Sequence, residues 1–266
     1  MRLHRRLAPS FGALLATLLA TALALATPPL AAQQITVSAA ASLTDALREV
    51  SARFEATRPG VAVRLNFASS GVLIQQILQG APVDIFLSAD PEQMNRGVER
   101  KVLDAATRRD FASNALVMIA PVPIAGASPT VPPLAQPSDL AGLTVRRIAI
   151  GKPATVPAGR YARQMLEGAQ LWTTLQPKLV FADNVRQALD YVARGEVEAG
   201  FVFRTDAALA KDRVRIVLTA SGHAPIIYPA AVVADSRQPA LAREFLAFLL
   251  SPEAQAILAR FGFGKP

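Results

Sequence analysis

The 266-residue chain contains no cysteine, which excludes disulfides, thiolate metal sites and cysteine nucleophiles. Histidine is nearly absent as well. Of two His, His4 lies in an N-terminal leader and only His223 lies beyond it. One His cannot build a His-based zinc site, and any catalytic triad would have to be centred on His223. The 28 Lys and Arg exceed the 20 Asp and Glu, but they are dispersed among acids, as in Arg48-Glu49, Glu99-Arg100-Lys101 and Lys211-Asp212-Arg213. A basic stripe interleaved with aromatics, the footprint of a nucleic-acid binder, is missing. After residue 26 no apolar run is long enough to span a bilayer.

What is there begins with an export signal. Arg2, Arg5 and Arg6 precede an almost uncharged Ala- and Leu-rich run from Leu7 to Ala26, and small residues follow, with cleavage expected after Ala31-Ala32. Residues 1–32 are thus read as a signal peptide. Their removal takes away three Arg and no acid, lowering the formal charge from +8 to +5. The remaining chain is expected to be exported and soluble.

Strand-like and helix-like runs alternate from Ile35 onward. Leu43, Ala46, Leu47, Val50 and Phe54 recur at helical spacing until Arg58-Pro59-Gly60; Val61 to Phe67 alternates as a half-buried strand does; Val72 to Leu78, Asp84 to Leu87 and Pro91 to Lys101 continue the series. This order predicts a mainly parallel sheet flanked by helices. A Pro-, Ala-, Gly- and Ser-rich stretch over 121–138 reads as a loop. A second alternating series follows: Arg147 to Ile150, Pro157 to Gly168, Lys178 to Phe181, Asn184 to Gly195, and Ala199 to Phe203. The final strand, Tyr228 to Ala234, and the helices Leu241 to Leu250 and Pro252 to Phe261 are expected to return to the first half.

Four short signals stand where helices should begin: Ala41-Ser42-Leu43-Thr44, Ser69-Ser70-Gly71, Val156-Pro157-Ala158-Gly159 and Asp183-Asn184-Val185-Arg186. A helix start presents backbone N–H groups without intrahelical partners and about half a positive charge, so it holds an anion without a cationic side chain. Taken singly, each has an ordinary explanation. Ser42 with Asp45 is a capping-box-like pattern, Pro157 suits a first helical turn, and Asp183 is structural because a carboxylate would repel an anion. Converging from two halves, the four make an oxyanion trap.

The stretches Ile35 to Thr44, Phe67 to Ser70, Gly80 to Asp90, Val156 to Ala162 and Asn184 to Leu189 together resemble the periplasmic molybdate-binding proteins of ABC importers. The resemblance implies a type II periplasmic binding-protein fold, two α/β lobes joined by two crossover strands, with residues 33–116 and 229–266 in lobe 1 and 117–228 in lobe 2. It implies a monomer that captures molybdate, and also tungstate, in the interlobe cleft and hands it to a membrane permease, with no cofactor. The ligands it implies are Ser42 and Ser70 from lobe 1 and the amides of Ala158 and Val185 from lobe 2, with molybdenum held only as the oxyanion. The tyrosine usual in the family falls at Phe203, whose ring has no donor, leaving a water, a backbone N–H, Tyr161, Arg204 or Thr205 to fill its place. A receptor for sulfate, phosphate or a small organic anion is the alternative. An exported hydrolase using Ser42 or Ser70 with His223 is disfavoured, since neither serine lies in a Gly-x-Ser-x-Gly elbow.

Overall fold

A computed structural model of the chain describes residues 33–123 and 133–266. The expected signal peptide and residues 124–132 of the expected loop lie outside them.

The strands are β1 (Gln33–Ala40), β2 (Val61–Ala68), β3 (Ile85–Leu87), β4 (Arg109–Asn114), β5 (Leu116–Pro121), β6 (Ile148–Gly151), β7 (Leu179–Ala182), β8 (Ala199–Phe203), β9 (Val214–Thr219) and β10 (Ile226–Val232). The helices are α1 (Thr44–Ala56), α2 (Ser70–Leu78), α3 (Pro91–Glu99), α4 (Pro157–Gly168), α5 (Trp172–Leu175), α6 (Val185–Ala193), α7 (Arg204–Leu209), α8 (Pro239–Leu249) and α9 (Pro252–Arg260). They form two five-stranded sheets, ordered β2-β1-β3-β10-β4 and β7-β6-β8-β5-β9.

The two orders are the same pattern. In each sheet three strands run parallel, and the fourth position is taken by an antiparallel strand that continues directly from the other sheet. β4 ends at Asn114 in the first sheet and β5 begins at Leu116 in the second; β9 ends in the second sheet and β10 lies in the first. The chain therefore crosses twice, which makes the molecule a two-lobe α/β protein.

Helices cover both faces of the first sheet. The apolar stripe of α1, with Leu47, Val50 and Phe54 fully buried, meets α8 and α9, where the Phe54 ring stands edge-on to Phe245 at 5.1 Å between centroids. On the other face Leu73, Ile74 and Met94 of α2 and α3 close over Phe86 and Ala231. Burying side chains of this size contributes about 1.5–3 kcal/mol each.

Two strands were not anticipated. β4 reads Arg-Asp-Phe-Ala-Ser-Asn, too polar for a strand pattern, and is held at the sheet edge by β10 and by Ser113 pairing with Gly264. β9 is also an edge strand, and Ile216 there is 45% exposed. Edge strands bury one face poorly, so their composition carries little signal.

Candidate functional site

The parallel strands β1, β2, β6 and β7 all end where the two lobes face each other, and the segment after each leads into a helix. Ligands on open α/β sheets sit at such carboxyl ends. Between them lies a cavity of about 10 Å³, roughly the room of one water, lined among others by Ser42, Ser69, Ala89, Ala158, Val185 and Phe203. Among the described residues that line it, none is charged. A larger open groove, about 730 Å³, runs past Arg64, Asp84, Asp235 and Arg237, collects none of the four helix starts and carries charges of both signs.

How those helices begin matters more than where. Away from the cavity, caps are conventional: Asp90 accepts from the Gln93 amide at the head of α3, and Ser251 from Ala254 at the head of α9. At the cavity two of them are not, those of α2 and α4. Ser69 is the N-cap residue of α2, yet its hydroxyl makes no capping bond and is buried without a partner. The N-cap of α4 is Val156, which has no side-chain acceptor, and Pro157 follows, so the first free amides are those of Ala158 and Gly159. At α6 Asn184 Oδ1 accepts from the amides of Arg186 and Gln187, both at 3.0 Å, and leaves that of Val185. The walls are therefore rich in donors and poor in acceptors.

Of the residues singled out from sequence, Ser42, Ala158, Val185 and Phe203 meet at this cavity. Ser42 sits in a short 3-10 turn, Ala41–Leu43, and its hydroxyl lies 3.0 Å from that of Tyr228 instead of capping α1. Ser70 is one residue deeper; its hydroxyl accepts from the Ala89 amide at 3.0 Å. Tyr161, Arg204 and Thr205 do not line the cavity. Tyr161 packs between Phe203 and His223, Arg204 reaches Thr219 Oγ1 at 2.7 Å, and Thr205 Oγ1 accepts from Asn114 at 2.9 Å. Asp183 pairs with Lys152 at 2.5 Å. His223 bonds the carbonyl of its neighbour Ala224 and touches neither serine. No group of three or more His, Asp or Glu able to hold a metal ion occurs among the described residues.

Cations are close and already paired with carboxylates, although Arg160 Nη2 is buried without a partner. Arg160, in the first turn of α4, bridges the cleft to Asp90 and, at 3.0 Å, to Glu92. Arg186, in the first turn of α6, pairs with Asp206 at 2.5 Å and crosses to Asp45 at 2.8 Å and to the Ser42 carbonyl at 3.3 Å. These two bridges, which sequence reasoning missed, tie the lobes on either side of the cavity. Their partners are far apart in the chain, so no local pattern announces them. The Gly71 amide adds a third tie, donating to the Thr155 carbonyl at 2.9 Å.

Complete burial outweighs the Arg186 pairing at Asp206 and raises its carboxyl to about 6. The folded state thus holds this proton more tightly than the unfolded chain, so ionisation destabilises the fold. The penalty is absent below about pH 4, grows as pH rises through 6 and is complete above it, reaching up to about 3 kcal/mol. Urea unfolding across pH 4 to 7 is expected to show wild type losing stability relative to Asp206→Asn by up to that amount; a pH-independent difference would contradict the assignment.

A family description, bacterial extracellular solute-binding protein, matches residues 35–264. The chain belongs to this family. Its members are solute-binding proteins, not enzymes. The chain is similar to the molybdate-binding protein ModA of Escherichia coli (strain K12), 40% identical over 232 residues that cover 86% of this chain and 88% of that protein. It is likewise similar to a putative ABC transporter substrate-binding lipoprotein, YvgL, of Bacillus subtilis (strain 168), 37% identical with 86% and 85% covered. Among solved structures, the periplasmic molybdate-binding protein of Azotobacter vinelandii superimposes with a TM-score of 0.73 at 27% identity, over 87% of this chain and 99% of that one. Among the described residues no helix is long and apolar enough to cross a membrane.

Proposed function

We propose that this solute-binding protein captures molybdate, and also tungstate, between its lobes and delivers it to the membrane permease of an ABC importer. The observation that carries this reading is the gathering of helix-start amides and hydroxyls, those of Ala158, Val185, Ser42 and Ser69, around one uncharged cavity. Backbone amides and hydroxyls there suit a ligand that only accepts hydrogen bonds, and a fully deprotonated tetrahedral oxyanion is one. The similarity to ModA proteins selects molybdate within that class.

In this reading the amides of Ala158 and Val185 and the hydroxyls of Ser42 and Ser70 bind the anion. Ser70 already accepts from Ala89, so its own proton is free to give. Ser69, unpartnered at the cavity wall, supplies the donor that the Phe203 ring lacks. The sheets shift the expected lobe boundaries at 116 and 228 slightly, since Leu116 pairs with Phe203 in the second lobe and Ile226 to Tyr228 pair with β4 in the first. Because the closed cavity has room for about one water, uptake requires the lobes to part. The protein works as a periplasmic monomer released from its signal peptide.

Isothermal titration of the mature protein tests this. One molybdate per chain is expected, with tungstate similar and sulfate and phosphate far weaker; a preference for either of the last two would replace the reading with that anion. Ser42→Ala and Ser69→Ala should each remove a charge-assisted hydrogen bond, a loss of about 1.5–3 kcal/mol or roughly 10- to 100-fold. Unchanged titrations for both would overturn the ligand set.

A further inference from the structure

We propose that Asn114 and Tyr228, neither of which lines the cavity, are positioning residues that fix the direction of the Ser42 hydroxyl, so that its proton always points to the anion. The inference rests on the oxyanion reading above and adds to it how the first ligand is held.

The argument starts at the first crossover. The Ala115 amide donates to Asn114 Oδ1 at 2.9 Å, which turns the carbonyl end of the side chain toward the backbone and its NH₂ end the other way. An NH₂ group only donates. Its two protons go to Thr205 Oγ1 at 2.9 Å and to the Tyr228 hydroxyl at 3.3 Å. A phenol that accepts there gives its own proton elsewhere, and Ser42 Oγ is 3.0 Å away. Ser42 therefore accepts from Tyr228, and its one proton is left for the cavity it lines.

Every member of this chain is held from behind. The Tyr228 ring is fully buried against Phe203, Phe263 and Phe111, with centroids 5.8, 5.5 and 6.3 Å away. Burial pushes its phenol well above the ordinary value, so it keeps its proton. Phe203 bears on this directly, because a phenyl ring offers Tyr228 no competing acceptor. Hydrogen bonds in series also polarise one another, which makes Ser42 a stronger donor than an isolated hydroxyl. Beside the Ser69 donor proposed above, the second crossover strand thus answers the departure at Phe203 by strengthening Ser42.

A double-mutant cycle tests this. Tyr228→Phe is expected to weaken tungstate and molybdate binding about 10-fold by calorimetry in the wild-type background, and by less than about twofold in Ser42→Ala, since the chain then has nothing to deliver to. Thermal-shift midpoints in millimolar tungstate read the same cycle if Ser42→Ala binds too weakly to titrate. Asn114→Ala, which keeps the phenol but frees its proton, is expected to show a smaller loss with the same dependence on Ser42, and it serves if Tyr228→Phe does not fold. Equal losses in both backgrounds would mean that Tyr228 only packs, and no loss in either would mean that it plays no part; both overturn the inference while leaving the oxyanion reading intact. A wild-type protein that binds neither anion overturns both.

Discussion

Replacing Gly159 with alanine is expected to destabilise the protein by at least about 3 kcal/mol, beyond the usual range for a surface or helix substitution. Gly159 lies in the first turn of α4, where the helix is pressed against the end of β6. A Cβ placed there would stand 1.9 Å from the Gly151 carbonyl oxygen and 2.5 Å from its carbon. Both are backbone atoms of a central strand, so no side chain can swing aside. Relief requires lifting α4, which opens the packing of the buried Tyr161, Ala162, Met165 and Leu166 on the sheet. Helix propensity alone would predict the opposite sign, since alanine is favoured over glycine by about 1 kcal/mol. Urea unfolding reads the effect directly. A variant within about 1 kcal/mol of wild type would mean that α4 and β6 do not approach as described.

Gly71→Ala is expected to act on binding and leave stability nearly alone. Its Cβ would come 2.6 Å from the Thr155 Cα and 2.7 Å from the Thr155 oxygen, again backbone atoms, but here they belong to the other lobe. The clash is relieved by parting the lobes, with neither core disturbed. Disfavouring the closed state by about 3 kcal/mol lowers apparent anion affinity roughly 100-fold, because in the proposed binding mode the anion gains its full set of donors only when the lobes meet. Unfolding without anion should stay within about 0.5 kcal/mol of wild type. Small-angle scattering with saturating molybdate would show the wild type compacting and the variant remaining extended. Equal compaction of the two would argue that the Gly71–Thr155 contact is no constraint on closure.

These two glycines show how far a linear reading reaches. Both stand in the motifs Ser-Ser-Gly and Pro-Ala-Gly, and their presence at helix starts is plain from the sequence. What each one clears a path for is not. Gly71 makes room for a residue 84 positions away by number, and Gly159 for a strand beyond the preceding loop.

The alternation of apolar runs and the stops at Gly and Pro were sufficient to specify an α/β chain in two halves, and the four helix-start signals to suggest where an anion would be held, because periodicity, caps and turns are local properties of consecutive residues. Ser42, Ala158 and Val185 stand in those signals, whereas Phe203 was singled out only by the family resemblance. The edge strands β4 and β9 were not, since a half-covered strand leaves little trace in composition. Nor was it legible which serine of Ser69-Ser70 faces the cavity, which depends on the rotation of α2 as it packs between β3 and α3. The cross-lobe Arg160 and Arg186 bridges and the Asn114–Tyr228–Ser42 chain join residues separated by 68 to 186 positions. Only folding brings them together, and their energies come from burial and geometry that no neighbouring residue encodes.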